Sequence, residues 1–137
     1  MRIVVDTNDF ISALIGKKHR EKLRLVLNNP DIEVFADVNL LAELSEVAYR
    51  DKFRKQVTLN EIALFLEVVE ARLTKIIPTT IVTDSPDPDN NYLLSIAIDS
   101  QAEYFIADDK KHLLALSPYR GIQIIRLHTF LEISSCR

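Results

Sequence analysis

Arg2-Ile3-Val4-Val5-Asp6-Thr7-Asn8-Asp9 is the stretch whose reading decides the fold. Three β-branched residues in a row read as a short strand buried on both faces, the kind found in the middle of a parallel sheet. The apolar run stops at Asp6, and a helical spacing of Phe10, Ile11, Leu14 and Ile15 follows at once. In an open α/β sheet, ligands bind just beyond the carboxyl ends of such strands, which is where Asp6 falls.

Working outward, strands and helices alternate. His19 to Asn28 reads as a second helix after a break at Gly16. Ile32 to Phe35 reads as a second strand. Val38 to Arg50 and Leu59 to Leu73 are amphipathic helices, and Lys75-Ile76-Ile77 is a third strand. Residues 79–91, rich in Pro, Asp and Asn, form the longest loop, and a helix follows over Tyr92 to Ser100. Tyr104 to Ile106 is a fourth strand, ending at Asp108-Asp109. A short helix over Lys110 to Leu116, a fifth strand over Ile122 to Leu127 and a last helical turn over His128 to Ile133 complete the chain. This alternation predicts an α/β protein with helices on both faces of a parallel sheet.

The 137 residues suit a single domain spanning 1–137, and 47% hydrophobic content supplies a real core. The lone cysteine, Cys136, forms no internal disulfide, and no Cys/His set has zinc spacing. Asp6 and Asp9 interrupt the first apolar run, so residues 1–15 do not read as a signal peptide, and no stretch approaches membrane-spanning length. The expectation is a soluble, cytoplasmic protein without a membrane partner. A net charge of −3 weighs against general nucleic-acid binding. Lys17, Lys18, His19, Arg20, Lys22 and Arg24 nevertheless cluster locally, as do Lys52, Arg54 and Lys55. The ordinary reading of both groups is a solvated helix face.

The carboxylates carry the chemistry. Asp6 closes the first strand, and Asp108 and Asp109 close the fourth. If those strands are neighbours, their acids face one another across a cleft. The ordinary reading of each is a helix N-cap. At 100° per residue, Leu40, Leu41, Leu44, Val47 and Ala48 form one stripe. Glu43 lies at its edge, able to point toward a cleft, whereas Glu46 faces water. The loop Asp84-Ser85-Pro86-Asp87-Pro88-Asp89-Asn90-Asn91 adds further oxygens, ordinarily turn and cap chemistry. Carboxylates that converge without basic partners repel unless a cation neutralises them, and oxygen-only ligands favour Mg²⁺ or Mn²⁺. Metal-dependent phosphodiester hydrolysis is the chemistry that such a site performs.

Taken together, these segments resemble the PIN-domain ribonucleases, and among them the VapC-like toxin components of toxin–antitoxin systems. The resemblance rests on residues 3–8 with Ile11-Ser12-Ala13-Leu14, on Leu40-Leu41-Ala42-Glu43-Leu44, and on Asp87-Pro88-Asp89-Asn90-Asn91 before a helix. It also rests on residues 102–110 with Leu113 to Leu116, on Gly121-Ile122 and on Thr129-Phe130-Leu131. It covers essentially the whole chain. It implies a three-layer α/β/α fold with strand order 3-2-1-4-5, one or two divalent metals, and cleavage of RNA. The implied acids are Asp6, Glu43 and Asp109, with Asp108 as the alternative to the last. Thr7 and Asn8 are expected to position substrate. Two positions depart from the pattern. Asn91 stands in register with the third acid, leaving Asp89 and Asp87 as nearby substitutes, and Ala107 stands where a hydroxyl residue is usual. Asp9 replaces a commonly apolar residue. The resemblance also implies an antitoxin partner, for which the exposed helices at 8–28 are the candidate surface, and a homodimer. A catalytically weak PIN-fold module that binds RNA or protein is the alternative function. Two other α/β classes fail on particular residues. A haloacid-dehalogenase-like phosphatase needs an aspartate where Asn8 stands, and a response-regulator receiver needs one after the third strand, where Pro78 stands.

Overall fold

The computed structural model describes residues 1–108 and 111–135. Its centre is β1 (Arg2–Val5), in which Ile3, Val4 and Val5 are completely buried. Parallel neighbours lie on both sides of it. β2 (Glu33–Ala36) pairs through Ile3 with Val34, and β4 (Tyr104–Ile106) pairs through Val5 with Ile106. β3 (Leu73–Lys75) and β5 (Gln123–Ile125) are the edges, so the five-stranded sheet runs β3-β2-β1-β4-β5. That order, with all ladders parallel, is the one that the resemblance implied.

Helices fill the crossovers. α1 (Thr7–Ile15) and α2 (Lys17–Leu27) join β1 to β2, while α3 (Val38–Ala48) and α4 (Leu59–Arg72) join β2 to β3. α1 packs on α2 and α3, and α3 on α4. α5 (Pro88–Asp99) packs on β1 and β2 from the other face, as a right-handed return from β3 to β4 requires. α6 (Lys111–Ala115) and α7 (Leu127–Ser135) flank β5. The stripe on α3 is as the periodicity requires: Leu40, Leu44 and Ala48 are buried, Glu43 is half-buried, and Glu46 pairs with Arg50 in solvent.

Several boundaries differ from expectation: α2 starts at Lys17 and not His19, Ile76 and Ile77 fall outside β3, and Leu127 opens α7 instead of closing β5. Two further differences matter more. β3 begins at Leu73, directly off the end of α4, and not at Lys75. Leu73 is buried against Val34, so pairing with β2 outweighs continuation of the helix. α5 begins at Pro88, four residues before Tyr92. Pro is favoured at the first helical position, and the Asp87 carboxylate accepts from the Asp89 N–H at 3.0 Å, so this "loop" sequence is a helix start. The segment before it is held by Asp99, whose carboxylate accepts from the N–H groups of Thr79 and Thr80 and from the Thr80 hydroxyl.

Asn90, Leu93, Leu94 and Ala97 form the buried stripe of α5. Leu94 is fully buried, so Leu94→Ala should lower the unfolding free energy by about 2–5 kcal/mol. Urea denaturation of the two proteins measures this directly, and a loss below about 1 kcal/mol would mean that α5 is not seated on the sheet as described.

Candidate functional site

The strands point their carboxyl ends to one edge, and a carboxylate follows three of them: Asp6 after β1, Asp37 after β2 and Asp108 after β4. At Asp6 the β1–β4 ladder gains one more bond, from the Asp6 N–H to the Ile106 carbonyl at 2.9 Å. The chain then turns into α1, and the Asp6 carbonyl receives the Asp9 N–H at 3.0 Å. Asp6 occupies the N-cap position with extended backbone, yet its side chain makes no capping bond. Capping therefore does not account for a carboxylate that is 2% exposed.

Asp9 extends this group toward β4. It is 1% exposed. One oxygen lies 3.0 Å from His19 Nε2, and the other accepts the Asp108 N–H at 3.3 Å. The Asp108 carboxylate in turn accepts the Leu127 N–H at 2.7 Å and so holds the start of α7. Burial pushes the Asp9 carboxyl up to about 6, against the His19 hydrogen bond, with the neighbouring Asp108 charge adding to the rise. His19 is raised above its ordinary value, chiefly by its bond to Asp9. The bend at Gly16 allows α2 to bring His19 back to Asp9. A Cβ at Gly16 would lie 3.0 Å from the Ser12 carbonyl oxygen. Arg20 secures the same bend, donating to the Ala13 and Leu14 carbonyls at the end of α1.

The second half of the edge is built on Asp37. This buried N-cap of α3 accepts from the Leu40 N–H at 2.8 Å, from Asn39, and from the Tyr92 hydroxyl at 2.9 Å. Tyr92 is strongly raised by burial first, then by its bond to Asp37 and the negative charges of Asp37, Glu43 and Asp89. Glu43 and Asp89 thus act on one phenol, with Glu43 half-buried and Asp89 exposed.

Main-chain and side-chain bonds therefore gather Asp6, Asp9 and Asp108 into one group, and Glu43, Asp89 and Asp37 surround Tyr92 on adjoining helices. Asp87 is a helix cap. Asn8 is exposed, and Thr7 is buried with a hydroxyl that has no hydrogen-bond partner among the described residues. Asp109 lies outside the described residues. Asn91, the in-register position, is committed elsewhere. Its amide accepts from the Ser85 N–H and donates to the Ser85 carbonyl, both at 2.8 Å, which pins the loop before α5. The Asn90 side-chain oxygen, by contrast, is buried without a partner among the described residues, 4% exposed at the head of the α5 stripe. Reading the sequence put Asn91, and not Asn90, in register because the helix was started at Tyr92 and not at Pro88. It also placed His19 among solvated cations, and no periodicity could have paired it with Asp9 across the Gly16 bend.

Asp6, Glu43 and the Asn90 carbonyl are hard oxygen donors, with the Arg50 guanidinium close enough to act on Glu43. A small divalent cation suits such a set, and the buried Asn90 oxygen is the kind of atom that a ligand satisfies.

The comparisons agree with this architecture. The family model described as PIN domain matches residues 2–111. Among solved structures, a chain of VapBC2 from Rickettsia felis bound to a DNA fragment from their promoter is similar in fold. It has a TM-score of 0.57 at 14% identity, over 90% of this chain and 97% of that one. No curated protein matches. No helix among the described residues is long and apolar enough to cross a membrane.

The Asp9–His19 pair has a definite pH signature. Both groups are raised in the folded state, so between their ordinary and folded values the folded chain binds more protons than the unfolded chain. For Asp9 the stabilising contribution is complete below 3.8 and is lost as the pH rises through about 6. For His19 it is complete below 6.5 and is lost above that. In metal-free buffer, the urea midpoint should therefore fall between pH 4 and 8, and Asp9→Asn should flatten that slope. A slope unchanged in the variant would exclude the pair as its source.

Proposed function

Because the chain belongs to the PIN-domain family, we propose that it is a divalent-metal-dependent endoribonuclease and the toxin half of a toxin–antitoxin pair. The observation that carries this reading is Asp6, a carboxylate buried at the end of the central strand where the sheet order reverses. Asp6 and Glu43 would hold the cation, Asn90 would supply a neutral oxygen, and Asp109 would complete the set. When bound, Mg²⁺ or Mn²⁺ supplies charge neutralisation at a phosphate and lowers the pKa of water. The chain's own part is to fix these oxygens on rigid elements: Asp6 through its bond to β4, Glu43 through the buried α3 stripe, Asn90 through α5. Thr7 and Asn8, at the positive N-terminus of α1, suit an approaching phosphodiester.

The similar Rickettsia felis chain comes from a complex named VapBC2 with promoter DNA, which supports the expectation of an antitoxin for this chain too. The second reading, a PIN-fold binding module with little catalysis, is favoured by a specific feature. Asn90 and Asn91 open α5 where an acid is expected, and Ala107 lacks a hydroxyl. One carboxylate fewer weakens the hold on a second cation most.

Cleavage of labelled RNA by the purified chain, with Mg²⁺ or Mn²⁺ and with EDTA, separates the readings. Asp6→Asn should reduce metal-dependent cleavage by at least about a hundredfold. Asn90→Asp should tighten Mn²⁺ binding in calorimetry, whereas Asn91→Asp should loosen the Ser85 loop without that gain. Cleavage that survives EDTA, or is equal in wild type and Asp6→Asn, would defeat the nuclease proposal.

A further inference from the structure

Asp9, His19 and Asp108 form a separate constellation at the same edge. Each offers one ligand atom, and the three atoms lie within 4.8 Å of one another. Two donors bound opposite each other at about 2.0–2.2 Å from one ion are about 4.2 Å apart, so small side-chain adjustments close the site. The donors are differently anchored. Asp9 is buried in the first turn of α1, His19 sits in the first turn of α2, and Asp108 follows β4. One Asp108 oxygen is occupied by the Leu127 N–H, which fixes the carboxylate. The charged groups acting on the imidazole are Asp9, Asp108 and Lys22, two anions against one exterior cation.

We propose that Asp9, His19 and Asp108 bind a transition-metal cation of the Mn²⁺ or Zn²⁺ class, selected over Mg²⁺ by the imidazole nitrogen. Mg²⁺ demands oxygen ligands and sheds water reluctantly, whereas Mn²⁺ and Zn²⁺ accept imidazole. The ion would replace the proton that now lies between His19 Nε2 and Asp9, and it would neutralise two carboxylates held close in a desolvated place. The site shares no ligand with Asp6, Glu43 and Asn90. It stands on its own three side chains and does not require the nuclease reading.

Pulsed electron paramagnetic resonance on the Mn²⁺-loaded wild-type chain tests this, because nitrogen-14 coupling to the ion reports imidazole ligation directly. The coupling should be present in the wild type and in Asp6→Asn, and absent in His19→Gln, whose amide still donates to Asp9. Mn²⁺ affinity should fall at least about tenfold in His19→Gln, with Mg²⁺ affinity changed less than about twofold. Mn²⁺ bound without nitrogen coupling in the wild type overturns the proposal while leaving the oxygen-donor site intact. So does coupling that persists in His19→Gln, which would assign it to His112 or His128. Failure of both Mn²⁺ and Mg²⁺ to bind would remove this site and the proposed nuclease centre together. The wild-type spectrum alone decides the matter should the variant fold poorly.

Discussion

The parallel pairing of β1 with β4 is the constraint from which the rest of the molecule follows. The ladder runs Ile3 to Tyr104, Val4 to Phe105 and Val5 to Ile106, and the Asp6 N–H extends it by one bond. β2 lies on the other flank of β1. The chain leaves β1 toward β2 but returns to its other side only after about a hundred residues, so crossovers on opposite sides of this strand diverge. Their divergence opens the carboxyl edge at Asp6. A buried carboxylate is expensive unless something compensates it. Complete burial of Ile3, Val4 and Val5 holds the strand in place, so the position of Asp6 is set by hydrophobic packing on both faces and not by loop conformation.

The fold was legible because the signals that define it are local. β-branched runs of three or four residues, helical stripes such as Leu40, Leu44 and Ala48, and their alternation suffice for a parallel α/β arrangement. The strand order itself came from the family resemblance, since no local pattern tells which strands adjoin. The boundaries failed where two local tendencies compete. At Leu73 helical spacing continues into a residue that the sheet claims, and at Pro88 a proline-rich stretch reads as loop although proline suits a helix start.

The site was legible only in part, for the same reason. Asp6 and Glu43 stand at positions that periodicity can single out: the end of a strand and the edge of a stripe. The role of Asn91 cannot be read that way. Whether an asparagine faces the cleft or folds back onto Ser85 depends on the start of α5, and a shift of one residue turns it about 100° around the helix. Asn90 and Asn91 are therefore not interchangeable. One continues the buried stripe with Leu93, Leu94 and Ala97, and the other makes a two-point bond to a loop peptide. His19 illustrates the opposite limit. It lies in a run of cations, and only the three-dimensional return of α2 distinguishes it from Lys17 and Lys18, which are exposed.

Asp9 bears on how charge is distributed along this edge. An apolar residue at that position would leave the turn after β4 without its side-chain acceptor, since the Asp108 N–H bonds to Asp9. It would also free His19. The carboxylate therefore links three elements, α1, α2 and the turn beyond β4, at the cost of placing a second buried acid one helical turn from Asp6. Where an asparagine at the head of α5 removes a negative charge from one side of the edge, Asp9 adds one on the other, with an imidazole beside it. The side chains at Glu43 and Asn90 offer oxygen, whereas an imidazole joins the carboxylates at His19. That asymmetry distinguishes this chain from one carrying four equivalent acids, and it arises from side chains at the first turns of α1, α2 and α5, where helix starts can change donors without disturbing the sheet beneath them.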